Sequence, residues 1–157
     1  MHLNDSLGNS KKIQYVVCLH EQACSIAAEA YARVTNKPGL LMVTTGPGGT
    51  NALTGVTAAY IESTPMIVLS GQVKRADMVN GQGIRQQGMQ EVDIISMVKP
   101  VTKYAALVTE PQDIKYHLDR ALYGAVHGRK GPVWLDIPLD VQASMIEETT
   151  LRGWKPA

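Results

Sequence analysis

Phenylalanine is absent from this 157-residue chain, aromatic residues make up only 5% of it, and there are two cysteines, Cys18 and Cys24. Without Phe, the core falls to aliphatic residues and to seven methionines, whose flexible thioethers fill irregular space. Two cysteines are too few for a disulfide framework, and neither has metal-site partners at useful spacing. They read as small buried apolar residues in a reducing compartment. An excess of one charge is lacking too. The formal net charge is +1 with both signs mixed along the chain, which gives no footing for nucleic-acid or membrane-surface binding. No apolar run reaches the roughly 18 residues of a membrane span. The opening MHLNDSLGNSKK is polar and has no apolar signal core, so a cytoplasmic protein is expected.

The composition that remains is globular, with 45% hydrophobic and 18% charged residues. A chain of this length suits one domain and can remove roughly 70% of its unfolded surface from water. Short apolar runs alternate with helical patterns. Ile13–Leu19 (IQYVVCL), Leu40–Thr45 (LLMVTT), Pro65–Gly71 (PMIVLSG) and Gly131–Pro138 (GPVWLDIP) read as buried strands. Helices are expected from Glu21 to Val34, stopped by Asn36–Gly39 (NKPG), and from Thr50 to about Ile61. A third follows Pro111, with Ile114, Leu118, Leu122 and Val126 at intervals of four and Gly128 just past its end. VDIISMV is expected as a short helix and PVTKYAALV as holding a short strand, whereas Gln72–Met89 carries no clear pattern. The alternation predicts an α/β fold in three layers, a mainly parallel sheet with helices on both faces. Sites in such sheets lie beyond the carboxyl ends of the strands, where His20–Glu21, Gly46–Asn51 and the segment after Gly71 all fall.

Each of these stretches has an ordinary explanation when taken alone. TTGPGGTN is a strand, a glycine-rich turn and a helix start, suited to an anion or a polar ring, yet such turns also serve simple βα connections. It is neither a Walker loop nor the G-x-G-x-x-G fingerprint. Glu21 is equally a first-turn acid favoured by the helix dipole. His20 reads as a packing or hydrogen-bonding residue, and Lys99 and Lys103 as surface lysines. GMQEVDI (Gly88–Ile94) supplies an amide and two acids that suit a solvated loop and a helix cap. No Ser–His–Asp order, paired carboxylate or metal-ligand spacing is present.

Together and in this order, HEQACSIAAEAYAR, TTGPGGTNALTGVTAAYIESTPMIVLSGQ, MQEVDI, KPVTK and GRKGPVWLDIPLDVQ resemble the pyrimidine-binding, N-terminal domain of thiamine-diphosphate-dependent enzymes of the acetolactate synthase-like group. The resemblance runs from about Ile13 to Gln142. It implies the thiamine-diphosphate-binding fold, with a pyrimidine-binding domain over residues 1–142 that lacks its first strand, and a linker at 143–157 toward an absent middle domain. It implies that Glu21 hydrogen-bonds N1′ of the aminopyrimidine and promotes the tautomer that takes the proton from thiazolium C2. Scarce water around Glu21 is expected to favour its protonated form. Gly46, Pro47, Gly48 and Asn51 are implied beside the pyrimidine, Gln90 beside cofactor and substrate, and Lys103 along the substrate channel. Met89 stands where the family has Phe, which bears on the shape of the acceptor pocket. The Gly-Asp-Gly stretch and asparagine motif that bind diphosphate in the family are absent from this sequence. Mg2+ and diphosphate are therefore expected on a diphosphate-binding domain of a partner subunit in a homodimer or higher assembly, and FAD is left open. The implied function is decarboxylation of a 2-oxo acid with carboligation, the isolated chain being inactive alone. The alternatives are a natural split subunit of a sulfo- or phosphonopyruvate-type decarboxylase and a non-catalytic α/β assembly module.

Overall fold

The computed structural model describes residues 1–156. Four strands, β1 (Gly39–Val43), β2 (Met66–Gln72), β3 (Tyr104–Leu107) and β4 (Pro132–Pro138), form one parallel sheet in the order β1-β2-β4-β3. The central pair is the longest, with Met66 opposite Pro132 and Gln72 opposite Pro138. Period-two alternation sends Met66, Val68 and Trp134 to one face and Ile67, Val133 and Leu135 to the other, and all six are buried. On the first face they pack under α2 (Glu21–Thr35), α3 (Pro47–Ile61) and the short α4 (Ile94–Val98). On the second they meet α5 (Ile114–Val126) and α6 (Leu139–Gln142), with Leu3 of α1 (His2–Asn9) packed against the same cluster. Both faces are thus covered in three layers. Each fully buried aliphatic side chain contributes about 1.5–3 kcal/mol, so these two clusters supply most of the fold's driving force.

The helix boundaries follow local chemistry. α2 opens on His20, whose Nδ1 accepts from the Gln22 amide at 3.1 Å, and closes on Asn36 in the left-handed region at φ 57°. α3 begins three residues before the expected Thr50. Gly46 turns the chain at φ 61°, and Pro47 starts the helix with its preset φ. Pro111 opens a single 3-10 turn ahead of α5, and Gly128 beyond its end has φ 62°. α2 and α3 cross closely because Gly55 carries no side chain. A Cβ there would stand 2.4 Å from Ser25 Oγ and 2.8 Å from the Ser25 carbonyl carbon.

One expectation is corrected. Ile13–Leu19 is not a buried strand. It is irregular and outside the sheet, with Val16 at 87% and Leu19 at 104% relative exposure. In β1, the Gly39 amide bonds to the Pro65 carbonyl, so the groups of Leu40 and Met42 point away from β2, and no strand among the described residues pairs with that edge. Without a ladder partner, a β-prone run has no hydrogen bonds to offset the entropy of ordering it. Within the segment expected as a linker, Trp154 packs against α5. Its ring lies 5.3 Å from that of Tyr123, and the Trp154 amide donates to Asp119 Oδ2 at 3.1 Å.

Replacing Gly55 by Ala is expected to lower stability by about 1–3 kcal/mol through overpacking against Ser25, more than the ~1 kcal/mol that Ala gains in a helix interior. A thermal melt of the variant at or above the parent's midpoint would contradict the close α2–α3 crossing.

Candidate functional site

The carboxyl edge of the sheet gathers three pieces of chain: the start of α2, the turn after β1 and the loop before α4. Glu21 is the first residue of α2, partly exposed. Its Oε2 accepts a 3.1 Å hydrogen bond from Asn51 Nδ2, thirty residues away on the first turns of α3. That bond, followed by Glu21's own backbone amide, holds the Glu21 carboxyl below its ordinary pKa. Partial burial raises it by less, and His20 lowers it slightly. The expectation of a Glu21 kept protonated by dry surroundings is thus corrected: in this chain the acid faces solvent and is stabilised as a carboxylate.

The turn lies beside it. A Cβ on Gly48 would stand 3.4 Å from Glu21 Oε1 and 2.6 Å from Thr44 Cγ2. Gly46 is wedged against Gln90, and a Cβ there would fall 2.2 Å from the Gln90 carbonyl oxygen. Gln90 itself adopts φ 61°, an uncommon left-handed conformation for a side-chain-bearing residue. Between turn and loop lies an open hollow of about 480 Å³, lined by Gly46, Pro47, Thr50, Met89, Gln90 and Val92 among others. Its wall is therefore partly bare backbone and partly apolar side chain, with Gln86, Gln90, Glu91 and Thr50 as its polar members.

Glu91 secures the loop. Its Oε1 accepts from the Val79 amide at 2.6 Å, and its Oε2 from the Gln87 and Gly88 amides at 3.0 and 3.1 Å. Burial pushes its pKa up, but these three amides together outweigh burial and leave the carboxyl below its ordinary value. Asp93 caps α4 by accepting from the Ser96 amide at 3.0 Å, as its place before an apolar run suggested. A clip such as Glu91 could not be read from sequence, because its partners lie on irregular backbone. The buried polar residues Ser70 and Asp136 did leave a signal, since each interrupts an apolar strand, whereas Gln72 ends one.

Of the expected residues, the structure brings together Glu21, Gly46, Pro47, Gly48, Asn51 and Gln90. It does not bring Lys103 to them. α4 leads the chain back across the sheet, and Lys103 precedes β3 at the amino edge, where its amide bonds to the Pro132 carbonyl. Its Nζ donates to the His127 carbonyl at 2.6 Å, and burial lowers its pKa. His20 serves as the helix cap.

Comparison with known proteins bears on this geometry. Residues 1–97 match the family described as thiamine pyrophosphate enzyme, N-terminal TPP binding domain. The chain belongs to this family. Its similar proteins include the mitochondrial acetolactate synthase of Schizosaccharomyces pombe, 38% identical over 144 residues, 92% of this chain and 21% of that protein. The acetolactate synthase large subunit of Cyanidium caldarium is 41% identical over 131 residues, 83% of this chain and 21% of its own length. The isozyme 3 large subunit of Escherichia coli is 39% identical over 141 residues, 90% and 24% respectively. This TPP-binding domain thus spans between 21% and 24% of these curated relatives. The fold of this TPP-binding domain is a parallel α/β sheet with covered faces and a glycine-rich turn at its carboxyl edge.

Substituting Asn51 by Ala removes the donor that most favours the Glu21 carboxylate, so the Glu21 titration midpoint is expected to rise. Side-chain carboxyl 13C shifts followed against pH measure it, and an unmoved or lowered midpoint would show that Asn51 does not hold Glu21.

Proposed function

We propose that Glu21, Asn51, the Gly46–Pro47–Gly48 turn and Gln90 form the pyrimidine end of a thiamine-diphosphate site, in a 2-oxo acid enzyme of acetolactate synthase type. The Asn51–Glu21 hydrogen bond carries this reading. A surface acid needs no partner thirty residues away, whereas an acid that must address one ring nitrogen needs a fixed carboxylate. The site suits an aminopyrimidine in other respects. Gly48 leaves bare backbone beside Glu21 Oε1 where a flat ring can approach, and the neighbouring hollow is partly apolar.

The cofactor, when bound, supplies the electron sink on which a 2-oxo acid loses carbon dioxide. The residues of this chain prepare it. Glu21 shares a proton with the ring nitrogen, and its partly exposed carboxylate gains the drier surroundings this requires once a ring covers it. Asn51 fixes the carboxylate's direction, so proton transfer needs little reorganisation. Gln90 presents an amide toward the space between ring and substrate, and Met89 offers that space a flexible apolar wall. Lys103, at the opposite sheet edge, is left out of this site.

Among the described residues, no group of three His, Cys, Asp or Glu side chains is placed to hold a metal ion. The proposal assigns Mg2+ and diphosphate to a diphosphate-binding domain of a partner subunit, and assigns FAD no role in this chain. Among the described residues, no helix is long and apolar enough to cross a membrane either. The two free cysteines suit a reducing compartment such as the cytoplasm. The matching relatives are acetolactate synthases, which gives no support to the sulfo- or phosphonopyruvate alternative.

In the enzyme assembled with its diphosphate-binding domain, Glu21→Gln is expected to slow exchange of the thiamine C2 proton by a factor of about 10² or more, the usual scale for one proton-transferring group. Proton exchange followed by NMR in deuterated buffer measures this, and an unchanged rate would sink the assignment. The exposed Ile13–Leu19 run and the unpaired edge of β1 also predict self-association of the chain into dimers or larger species. Light scattering showing a strict monomer at high concentration would count against that.

A further inference from the structure

Ser70 and Gln72 on β2 and Asp136 on β4 are buried polar residues with no part in the site as described so far. They form one continuous network. The Trp134 indole N–H donates to Ser70 Oγ at 2.7 Å, and the Ser70 hydroxyl donates to Asp136 Oδ1. Gln72 Nε2 donates both its protons, to Asp136 Oδ2 at 2.9 Å and to the Val92 carbonyl at 3.0 Å. Gln72 Oε1 accepts from Thr45 Oγ1 and from the Val73 amide, each at 2.9 Å. All four hydrogen-bonding positions of the amide are used. Two of them reach the walls of the hollow, because Thr45 precedes Gly46 and Val92 follows Gln90 by two residues.

The orientation of Gln72 is forced. A reversed amide would set its oxygen against Asp136 Oδ2 and the Val92 carbonyl, and its NH2 against the Val73 N–H. The Asp136 carboxylate, accepting on both oxygens, secures the observed sense. We propose that Gln72, locked in one orientation by Asp136, is a positioning residue that fixes the Thr45–Gly46 turn relative to the Gln90–Val92 loop. Its functional meaning rests on reading the hollow between them as the pyrimidine end of the cofactor site.

A proton on Asp136 would turn an acceptor into a donor opposite Ser70 or Gln72, each of which already donates there. The network must then rearrange, and Ser70 or Gln72 must turn. Burial pushes the Asp136 carboxyl up to about 7, against the lowering effect of the Ser70 and Gln72 bonds and with a small push from Asp93. The groups that face it are Ser70 and Gln72 from β2 and, as a charge, Asp93 at the start of α4. β3 sets Leu107 beside it and brings no charge. The state of this carboxyl is therefore transmitted to both walls of the site.

The test follows backbone amide and Asp side-chain carbonyl resonances of the chain, without ligand, between about pH 5.5 and 8.5. In the parent, the Gly46 and Val92 amides are expected to shift with the same midpoint as the Asp136 carbonyl. In Thr45→Val, Gly46 loses that response and Val92 keeps it. In Asp136→Asn, both lose it. Amides that do not follow Asp136 in the parent, or that keep their response in Asp136→Asn, would overturn the proposal. So would a Thr45→Val variant that leaves the Gly46 response intact, a comparison that stands even if Asp136→Asn fails to fold. No ligand enters the measurement. A cofactor reading refuted by the Glu21→Gln exchange rate therefore leaves the positioning result standing, and the converse holds.

Discussion

The seven-residue parallel register of β2 and β4, buried on both faces, is the constraint from which the other elements hang. Its alternating side chains anchor α2, α3 and α4 on one side and α5 on the other. The same pair carries Ser70, Gln72 and Asp136, polar residues that lie among apolar neighbours and are tolerable there only because each finds a partner. Through Gln72 the register extends into irregular chain, to Thr45 on one side of the hollow and Val92 on the other. The placement of two loops is thus tied to the stiffest part of the sheet.

The candidate site is held by three different means. The start of α2 is fixed by its cap and by packing against α3, the glycine turn by its close approach to the Gln90 carbonyl, and the Gln90 loop by the three amides that Glu91 gathers. All converge on one edge and brace one another, so the Glu21 carboxylate and the Gln90 amide have defined positions before any ligand arrives. Such preorganisation limits the entropy that binding must overcome. The site is open on its outer side. The partly exposed Glu21 ionises more easily than usual, and the change that makes it a proton-sharing group has to come from whatever covers it.

Much of the fold was legible because local and global preferences agree. Val, Ile and Leu in the β2 and β4 runs, the Ala-rich stretch after Glu21 and the four-residue spacing of α5 all name their elements directly. Pro47 extended α3 beyond the expected start for a local reason that the turn chemistry could have supplied. Ile13–Leu19 misled for a different reason. Its β-branched composition states a preference for a strand, but a strand exists only where a neighbour supplies the ladder, and none does here. Lys103 shows the same limit at the site: spacing along the chain from Gln90 is silent about the helix that carries it to the opposite edge of the sheet.

The residue types that the chemistry requires were determined by sequence alone: an acid at a helix start, glycines in a βα turn, an asparagine one turn beyond and an amide before a short helix. Sequence also determined that these follow the order of one enzyme family, since side-chain chemistry and order are properties of the chain itself. Tertiary structure decided what no spacing encodes. It joined Glu21 to Asn51, set Gly46 against Gln90 and linked both walls of the hollow to Asp136 through one glutamine. Those contacts join residues tens of positions apart. Only the packing of helices on a shared sheet brings them within hydrogen-bonding distance.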